Sequence, residues 1–284
     1  MEKLSQPFRV AAIQTIASTS VDRNLAVAEE LIGSAADQGA RLVALPEWFC
    51  FIGRDERDKL AIRERDGDGP IQSFLARIAA RFHVWVIGGS LPISTTTADR
   101  VRNSCLVYDD SGQRVARYDK IHLFGFEMGD ERYRESNTIE PGTALRAIES
   151  PFGRIGLSVC YDVRFPELYR ALGAVDLISV PSAFTVPTGQ AHWETLLRAR
   201  AIENLAWVIA PAQGGRHESG RLTHGHSMIV DPWGKVRACL PEGPGVVIGE
   251  IDPSYQAKMR AALPALHHRV LEQSLESTRT RHAD

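Results

Sequence analysis

Apolar runs of strand length and of helix length take turns along most of this chain, and that alternation limits the folds open to it. The segment 8–16 (FRVAAIQTI) has the length and apolar density of a buried strand. Residues 21–40 follow with Ala26, Ala28, Leu31, Ile32 and Ala35 near one helical face, and Ser20 stands where an N-cap belongs. A second strand, 41–45, is stopped by Pro46; residues 70–82 read as a helix with proline in its first turn. Strands at 84–88 and 104–108 complete the first half.

The second half repeats the rhythm, with strand 154–159, helix 166–172, strand 176–180, helix 191–205 and strand 207–210. The runs 228–230, 235–240 and 246–251 are then expected to close that sheet, with Asp231-Pro232-Trp233-Gly234 as a turn and a helix over 254–263. Strand–helix alternation predicts an α/β layered architecture, and two similar halves predict two sheets face to face with helices outside. No linker or low-complexity stretch divides them. One domain over 1–284 is expected, with a core over about 8–263 and a polar C-terminal arm over about 264–284.

Composition removes several classes of function. With 33 basic and 35 acidic side chains, a net charge of −2 provides no electrostatic case for nucleic acid or an anionic membrane. No apolar run approaches the roughly 20 residues needed to span a bilayer. The first residues are polar and do not resemble a signal peptide. Cys50, Cys105, Cys160 and Cys239 lie far apart, without a Cys-x-x-Cys pair. They suggest neither a zinc cluster nor a disulfide framework, and they fit a reducing, cytoplasmic compartment.

Cys160 draws attention because it ends a strand-like run and the next residues turn into a helix. A thiol there sits at the mouth of a sheet beside a backbone N–H, although most cysteines are inert core residues. Glu47, in Leu45-Pro46-Glu47-Trp48-Phe49, and Lys120, in Tyr118-Asp119-Lys120-Ile121-His122, also stand past strand-like runs. By base rate the first is a loop carboxylate and the second a surface lysine. In an apolar setting the carboxylate would suit a general base, and a dry ammonium would stabilise an oxyanion. Histidine is the usual partner of a catalytic cysteine, and His122, His217, His224 and His226 are available. His224 and His226 share a strand face, but no third residue has convincing metal-ligand spacing. Residue chemistry leaves Cys–His and Cys–Glu–Lys both open.

Three motifs in order resemble the nitrilase, or carbon–nitrogen hydrolase, superfamily: Leu45-Pro46-Glu47, Tyr118-Asp119-Lys120-Ile121-His122-Leu123 and Val159-Cys160-Tyr161-Asp162-Val163-Arg164-Phe165-Pro166-Glu167. The likeness runs from about residue 8 to about 269. It implies a four-layer αββα sandwich that associates as a homodimer or higher homo-oligomer. It also implies Cys160 as nucleophile, Glu47 as general base, and Lys120 with the Tyr161 backbone N–H as oxyanion donors. Glu127, in Phe124-Gly125-Phe126-Glu127-Met128, aligns with the extra glutamate of such sites. The reaction implied is amide hydrolysis through a cysteine thioester, with no metal or organic cofactor and a small-molecule amide as substrate.

Segments 181–194, 198–204 and 225–234 are similar to the Nit amidase branch, and within it 212–217 and 263–269 resemble the enzymes acting on deaminated glutathione. That implies cleavage of the amide between a 2-oxoglutaryl group and cysteinylglycine. The alternatives are an ω-amidase acting on 2-oxoglutaramate, a nitrilase acting on C≡N, or a non-catalytic binding protein on the same scaffold. The chain departs from the branch in the charged stretch 128–136 and in Val270-Leu271-Glu272. Arg164, Arg216 and His217 are candidate donors to a substrate carboxylate, with a structural role favoured for Arg164. Glu194 and Arg198 form an i,i+4 pair, and Trp193, Leu196, Leu197 and Ala201 form an apolar core stripe.

Overall fold

The computed structural model describes residues 6–128 and 131–271. Its first strand, β1 (Phe8–Gln14), is buried along nearly its whole length, as the continuous apolar run predicts. Phe8, Val10 and Ala12 pack into the layer between two sheets, while Ala11 and Ile13 pack against helices. This period of two sets the layering. The first sheet runs β15 (Gly245–Ile251), β1, β2 (Ala40–Ala44), β3 (Trp85–Ile87), β5 (Val101–Tyr108), β4 (Leu91–Ser94), with β6 (Arg114–Asp119) also on β5. The second runs β14 (Val236–Leu240), β13 (Ser227–Val230), β12 (Trp207–Ala210), β11 (Leu177–Ser179), β10 (Gly153–Leu157), β9 (Ala147–Ser150). The centre of each sheet is parallel: β1–β2–β3 in one and β10–β11–β12 in the other.

Helices α1 (Val21–Asp37) and α2 (Pro70–Phe82) cover the first sheet through Ala28, Ile32, Ile71, Phe74, Leu75 and Ile78. Helices α3 (Pro166–Ala171) and α4 (Val186–Asn204) cover the second, with Trp193, Leu197 and Ala201 of α4 buried. The order of layers is therefore αββα. Ser20 caps α1, its hydroxyl accepting from the Arg23 N–H at 3.4 Å. Helix α4 begins five residues earlier than its apolar stripe suggests, because Pro187 is compatible with a first helical turn. Helix α5 (Pro253–Ala262) docks through Gln256, whose Nε2 donates to the carbonyls of Asp176 and Leu205, each at 2.9 Å. Among the described residues no helix is long and apolar enough to cross a membrane.

One strand departs from expectation. The run 246–251 does not close the second sheet; β15 crosses to the first and pairs antiparallel with β1, from Gly245↔Gln14 to Ile251↔Phe8. Its side chains explain why this is stable: Val247 and Ile251 enter the core between the sheets, while Val246 and Ile248 pack towards the α1–α2 layer. A strand apolar on both faces suits either sheet, so its pattern alone does not choose. Strands β4, β6 and β9, and a hairpin of β7 (Gly125–Met128) and β8 (Glu131–Arg134), were absent from the sequence reading. They are short or charged, and each is held by pairing with a neighbour. The proposed arm is described only to residue 271, and the rest of it lies outside the described residues.

Candidate active site

Glu47 follows β2, where Pro46 ends the strand, and Cys160 follows β10. Both therefore stand at the carboxyl ends of central parallel strands, where α/β sheets place their ligands. Cys160 has a left-handed backbone, φ 49°, and starts a 3₁₀ turn over Cys160–Arg164. Such a conformation is costly for a non-glycine residue and needs support. The support comes from the Cys160 N–H donating to the Pro181 carbonyl at 2.8 Å and from Asp162. The fully buried Asp162 carboxylate accepts from the Val159 N–H at 2.9 Å, the Tyr118 hydroxyl at 2.7 Å and the His122 N–H at 3.0 Å.

Glu47 is fixed just as tightly. Its Oε1 accepts from Lys120 Nζ and from Asn103 Nδ2, both at 2.9 Å. Its carbonyl accepts from Gln213 Nε2 at 3.1 Å, and Gln213 Oε1 in turn accepts from the Ala17 N–H and the Thr15 hydroxyl. With one carboxylate oxygen doubly engaged, the other is left for proton transfer. The loop also depends on Gly89, which has φ 56°. A Cβ there would lie 2.1 Å from the Pro46 carbonyl oxygen. Gly89→Ala is accordingly expected to destabilise the fold by about 2 kcal/mol or more and to lower kcat by shifting Glu47. Thermal denaturation and steady-state assay of the variant check both effects.

Lys120 is wholly buried, and its Nζ also meets Glu135 Oε2 at 2.8 Å and Oε1 at 3.0 Å. Burial works against its charge, yet the Glu135 and Glu47 carboxylates outweigh that and hold its pKa well above the ordinary value. Burial raises the Glu135 carboxyl; Lys120 opposes this and the neighbouring Glu47 charge reinforces it. The Cys160 thiol is pushed well above its usual range by burial first and by Glu47 second. Lys120 and a hydrogen bond from the Ala183 backbone pull it back only in part. Burial and the neighbouring carboxylates therefore favour the neutral thiol over the thiolate at this position.

The extra glutamate expected at 127 is placed elsewhere. The Glu127 side chain is 64% exposed and pairs with Arg132 at 3.0 Å, whereas Glu135 holds Lys120. Glu127 stands on β7 opposite Arg132 of β8, whereas Glu135 follows β8 and closes the base of the hairpin, its carboxylate accepting from the Phe124 N–H at 2.7 Å. Only the fold of that hairpin reveals which glutamate turns inward. Asn103 also escaped the sequence reading, since an asparagine inside an apolar strand carries no catalytic signal.

A cleft of about 340 Å³ opens above these groups, lined by Glu47, Glu135, Cys160 and Tyr161. Arg164 is on its wall, with its guanidinium over the Tyr161 and Phe184 rings and Nη1 3.2 Å from His192 Nδ1. Arg216 and His217 lie outside it. Arg216 is exposed and lines a separate depression with His224 and His226. His217 is buried, its ring nitrogens 2.9 Å from the Ala17 carbonyl and the Thr223 hydroxyl; burial pulls its pKa down to about 4. The His224 and His226 rings stack at 4.1 Å, and among the described residues no group of three or more His, Cys, Asp or Glu is placed to hold a metal. His122 is committed to Asp162 at 2.7 Å rather than to the thiol.

Comparison with protein families matches Carbon-nitrogen hydrolase over residues 9–261. The chain belongs to the carbon–nitrogen hydrolase family. This hydrolase is 44% identical over 271 residues to a protein of Synechocystis named deaminated glutathione amidase, covering 93% of this chain and 99% of that one. Among solved structures it resembles the Caenorhabditis elegans NitFhit protein, with a TM-score of 0.84 and 38% identity. That match covers 95% of the hydrolase and 66% of the longer NitFhit chain. It also resembles Saccharomyces cerevisiae Nit3, of branch 10 of the nitrilase superfamily, with a TM-score of 0.82 and 30% identity, covering 92% of this chain and 96% of Nit3. The αββα layering of the hydrolase is that of the nitrilase superfamily, and its chemistry is the hydrolysis of C–N bonds in amides.

Proposed function

We propose that this hydrolase cleaves the amide joining a 2-oxoglutaryl group to cysteinylglycine, through a thioester on Cys160. The observation that carries the chemistry is Cys160 lining one cleft with Glu47 and Glu135, whose carboxylates both hold Lys120. The Cys160 sulfur attacks the amide carbonyl as its proton passes to Glu47. Lys120 Nζ and the Tyr161 N–H receive the oxyanion. The C–N bond then breaks, and the amine leaves with the proton from Glu47. Water, deprotonated by Glu47, attacks the thioester; the C–S bond breaks and the thiol recovers its proton. Glu135 acts by fixing Lys120.

The substrate assignment rests on the 44% identical relative named deaminated glutathione amidase. The cleft supports it, since about 340 Å³ suits a ligand larger than a small primary amide. The reading includes a cytoplasmic protein of one catalytic domain that self-associates, which accords with unpaired Cys50 and Cys105 in its core. Steady-state comparison of deaminated glutathione with 2-oxoglutaramate tests the substrate. We expect kcat/KM to favour the former by at least about tenfold, equivalent to about 1.4 kcal/mol. Equal values, or a preference for 2-oxoglutaramate, would identify an ω-amidase instead. Turnover of a nitrile without amide hydrolysis would overturn the amidase reading.

A further inference from the structure

We propose that Asp162 is a positioning residue that sets the Cys160 elbow against the Lys120 segment. The inference rests on the reading of Cys160 as nucleophile and Lys120 as oxyanion donor. Those two groups belong to different sheets: Cys160 follows β10 of the second, and Lys120 follows β6 of the first. Each is fastened locally. The Lys120 N–H donates to the Asn103 carbonyl at 2.9 Å, its carbonyl accepts from the Gly142 N–H at 2.8 Å, and the Cys160 N–H is held by Pro181. These bonds do not cross from one group to the other.

The Asp162 carboxylate does cross. Its Oδ2 accepts from the Val159 N–H at 2.9 Å, just before the nucleophile, and from the Tyr118 hydroxyl at 2.7 Å. Its Oδ1 accepts from the His122 N–H at 3.0 Å and lies 2.7 Å from His122 Nδ1. Tyr118 and His122 stand two residues before and two after Lys120, so one carboxylate grips the lysine segment on both sides. The Tyr118 hydroxyl also accepts from the Ile121 N–H at 3.4 Å, closing that segment around Lys120. Burial first and the Asp162 charge second push this hydroxyl well above its ordinary range, so it stays a donor. The His122 ring completes the clamp by stacking on Phe165, at the far end of the 3₁₀ turn, with centroids 3.8 Å apart.

Asp162 is fully buried, and with His122 Nδ1 protonated its partners use all the lone-pair directions of the carboxylate. A buried acceptor satisfied so completely specifies one geometry. Its amide counterpart cannot reproduce it. In either orientation of Asp162→Asn the amide –NH2 faces a backbone N–H, of Val159 or of His122, and that donor is left unmet. The elbow is where such a loss tells, since Cys160 holds a left-handed backbone, φ 49°. The sulfur and Lys120 Nζ must both reach one carbonyl group in the transition state. A displacement of about 1 Å there costs about 100-fold in rate.

The test asks where the loss falls, with steady-state kinetics on the preferred 2-oxo acid amide. In Asp162→Asn we expect kcat to fall roughly 100-fold with KM within about threefold, because the groups that bind substrate are untouched. Tyr118→Phe and His122→Phe remove one donor from either side of Lys120 while keeping an aromatic ring. Each should lower kcat by roughly tenfold, the worth of one hydrogen bond. These milder variants carry the test if Asp162→Asn does not fold. Adding Tyr118→Phe to Asp162→Asn should lower kcat by less than about twofold more, since both act through one carboxylate. Wild-type kcat in folded Asp162→Asn, or in both Tyr118→Phe and His122→Phe, overturns the inference. So does a loss confined to KM, or a pair of substitutions whose effects simply multiply. Failure of the underlying reading shows elsewhere: a wild type inactive on both amides, or a Cys160→Ala enzyme that keeps its turnover, involves none of these variants.

Discussion

Replacing Cys160 by alanine is expected to lower kcat/KM by roughly 10⁵-fold, a loss typical of removing a covalent nucleophile. No other group takes its place: His122 is tied to Asp162, and the buried Cys50 and Cys105 lie in core positions with thiol pKa values raised by burial. The fold should tolerate the change. Deleting one sulfur at a cleft leaves a small void and relieves a left-handed cysteine of none of its backbone contacts, so the cost in stability is about 1 kcal/mol. Intact-mass measurement after rapid mixing with substrate should show an acyl adduct on the wild type and none on Cys160→Ala. Near-normal turnover by a folded Cys160→Ala enzyme would remove Cys160 from the mechanism.

Lys120→Met is expected to affect both activity and stability. Without the ammonium, the Glu47 and Glu135 carboxylates are left buried beside each other, and breaking a buried ion pair from one side costs about 3–5 kcal/mol. The pH dependence follows from the same charges. In the wild type the pKa of folded Lys120 lies above its ordinary 10.5, so its stabilisation is complete below that value. It is lost only as alkaline pH rises through the folded value. In Lys120→Met the Glu135 carboxyl, already disposed upward by burial, takes up a proton in acid. The variant should therefore be closest to wild type near pH 4 and fall behind as pH rises towards neutrality. Urea denaturation at several pH values measures this. Turnover should fall by about 10³-fold with loss of the oxyanion donor. A Lys120→Met protein with wild-type stability at pH 7 would contradict the buried triad.

Much of this site was legible in chain order because strand ends are legible. Pro46 stops β2 and sets Glu47 at a sheet edge; the break after β10 does the same for Cys160. Local period and turn chemistry suffice for such statements, since they depend on neighbours within a few residues. The same logic recovered α1 with its Ser20 cap and the exposed Glu194–Arg198 pair of α4, 3.2 Å apart. It failed where two candidates of one chemical type lie close in sequence. Glu127 lies on the first strand of one hairpin and Glu135 just after the second, and only the folded hairpin sets Glu135 against Lys120 while Glu127 stays in solvent.

Cations and strand partners failed for a related reason. Arg216, His217 and Arg221 share a short loop, and their order says nothing about which reaches the cleft. A bridge at Arg216, a buried ring at His217 and a bond to Ala183 decide it. Likewise β15 carries apolar residues on both faces, so its local pattern fits either sheet, and its seven-residue register with β1 decides the matter. The order of strands and helices, the family and the three residues Glu47, Lys120 and Cys160 were therefore present in the sequence. Their local signals survive without a fold. The partner of Lys120, the strand partner of β15 and the loop residue that lines the cleft were settled by tertiary structure alone. Burial, desolvation and long-range pairing act between residues that the chain itself keeps far apart.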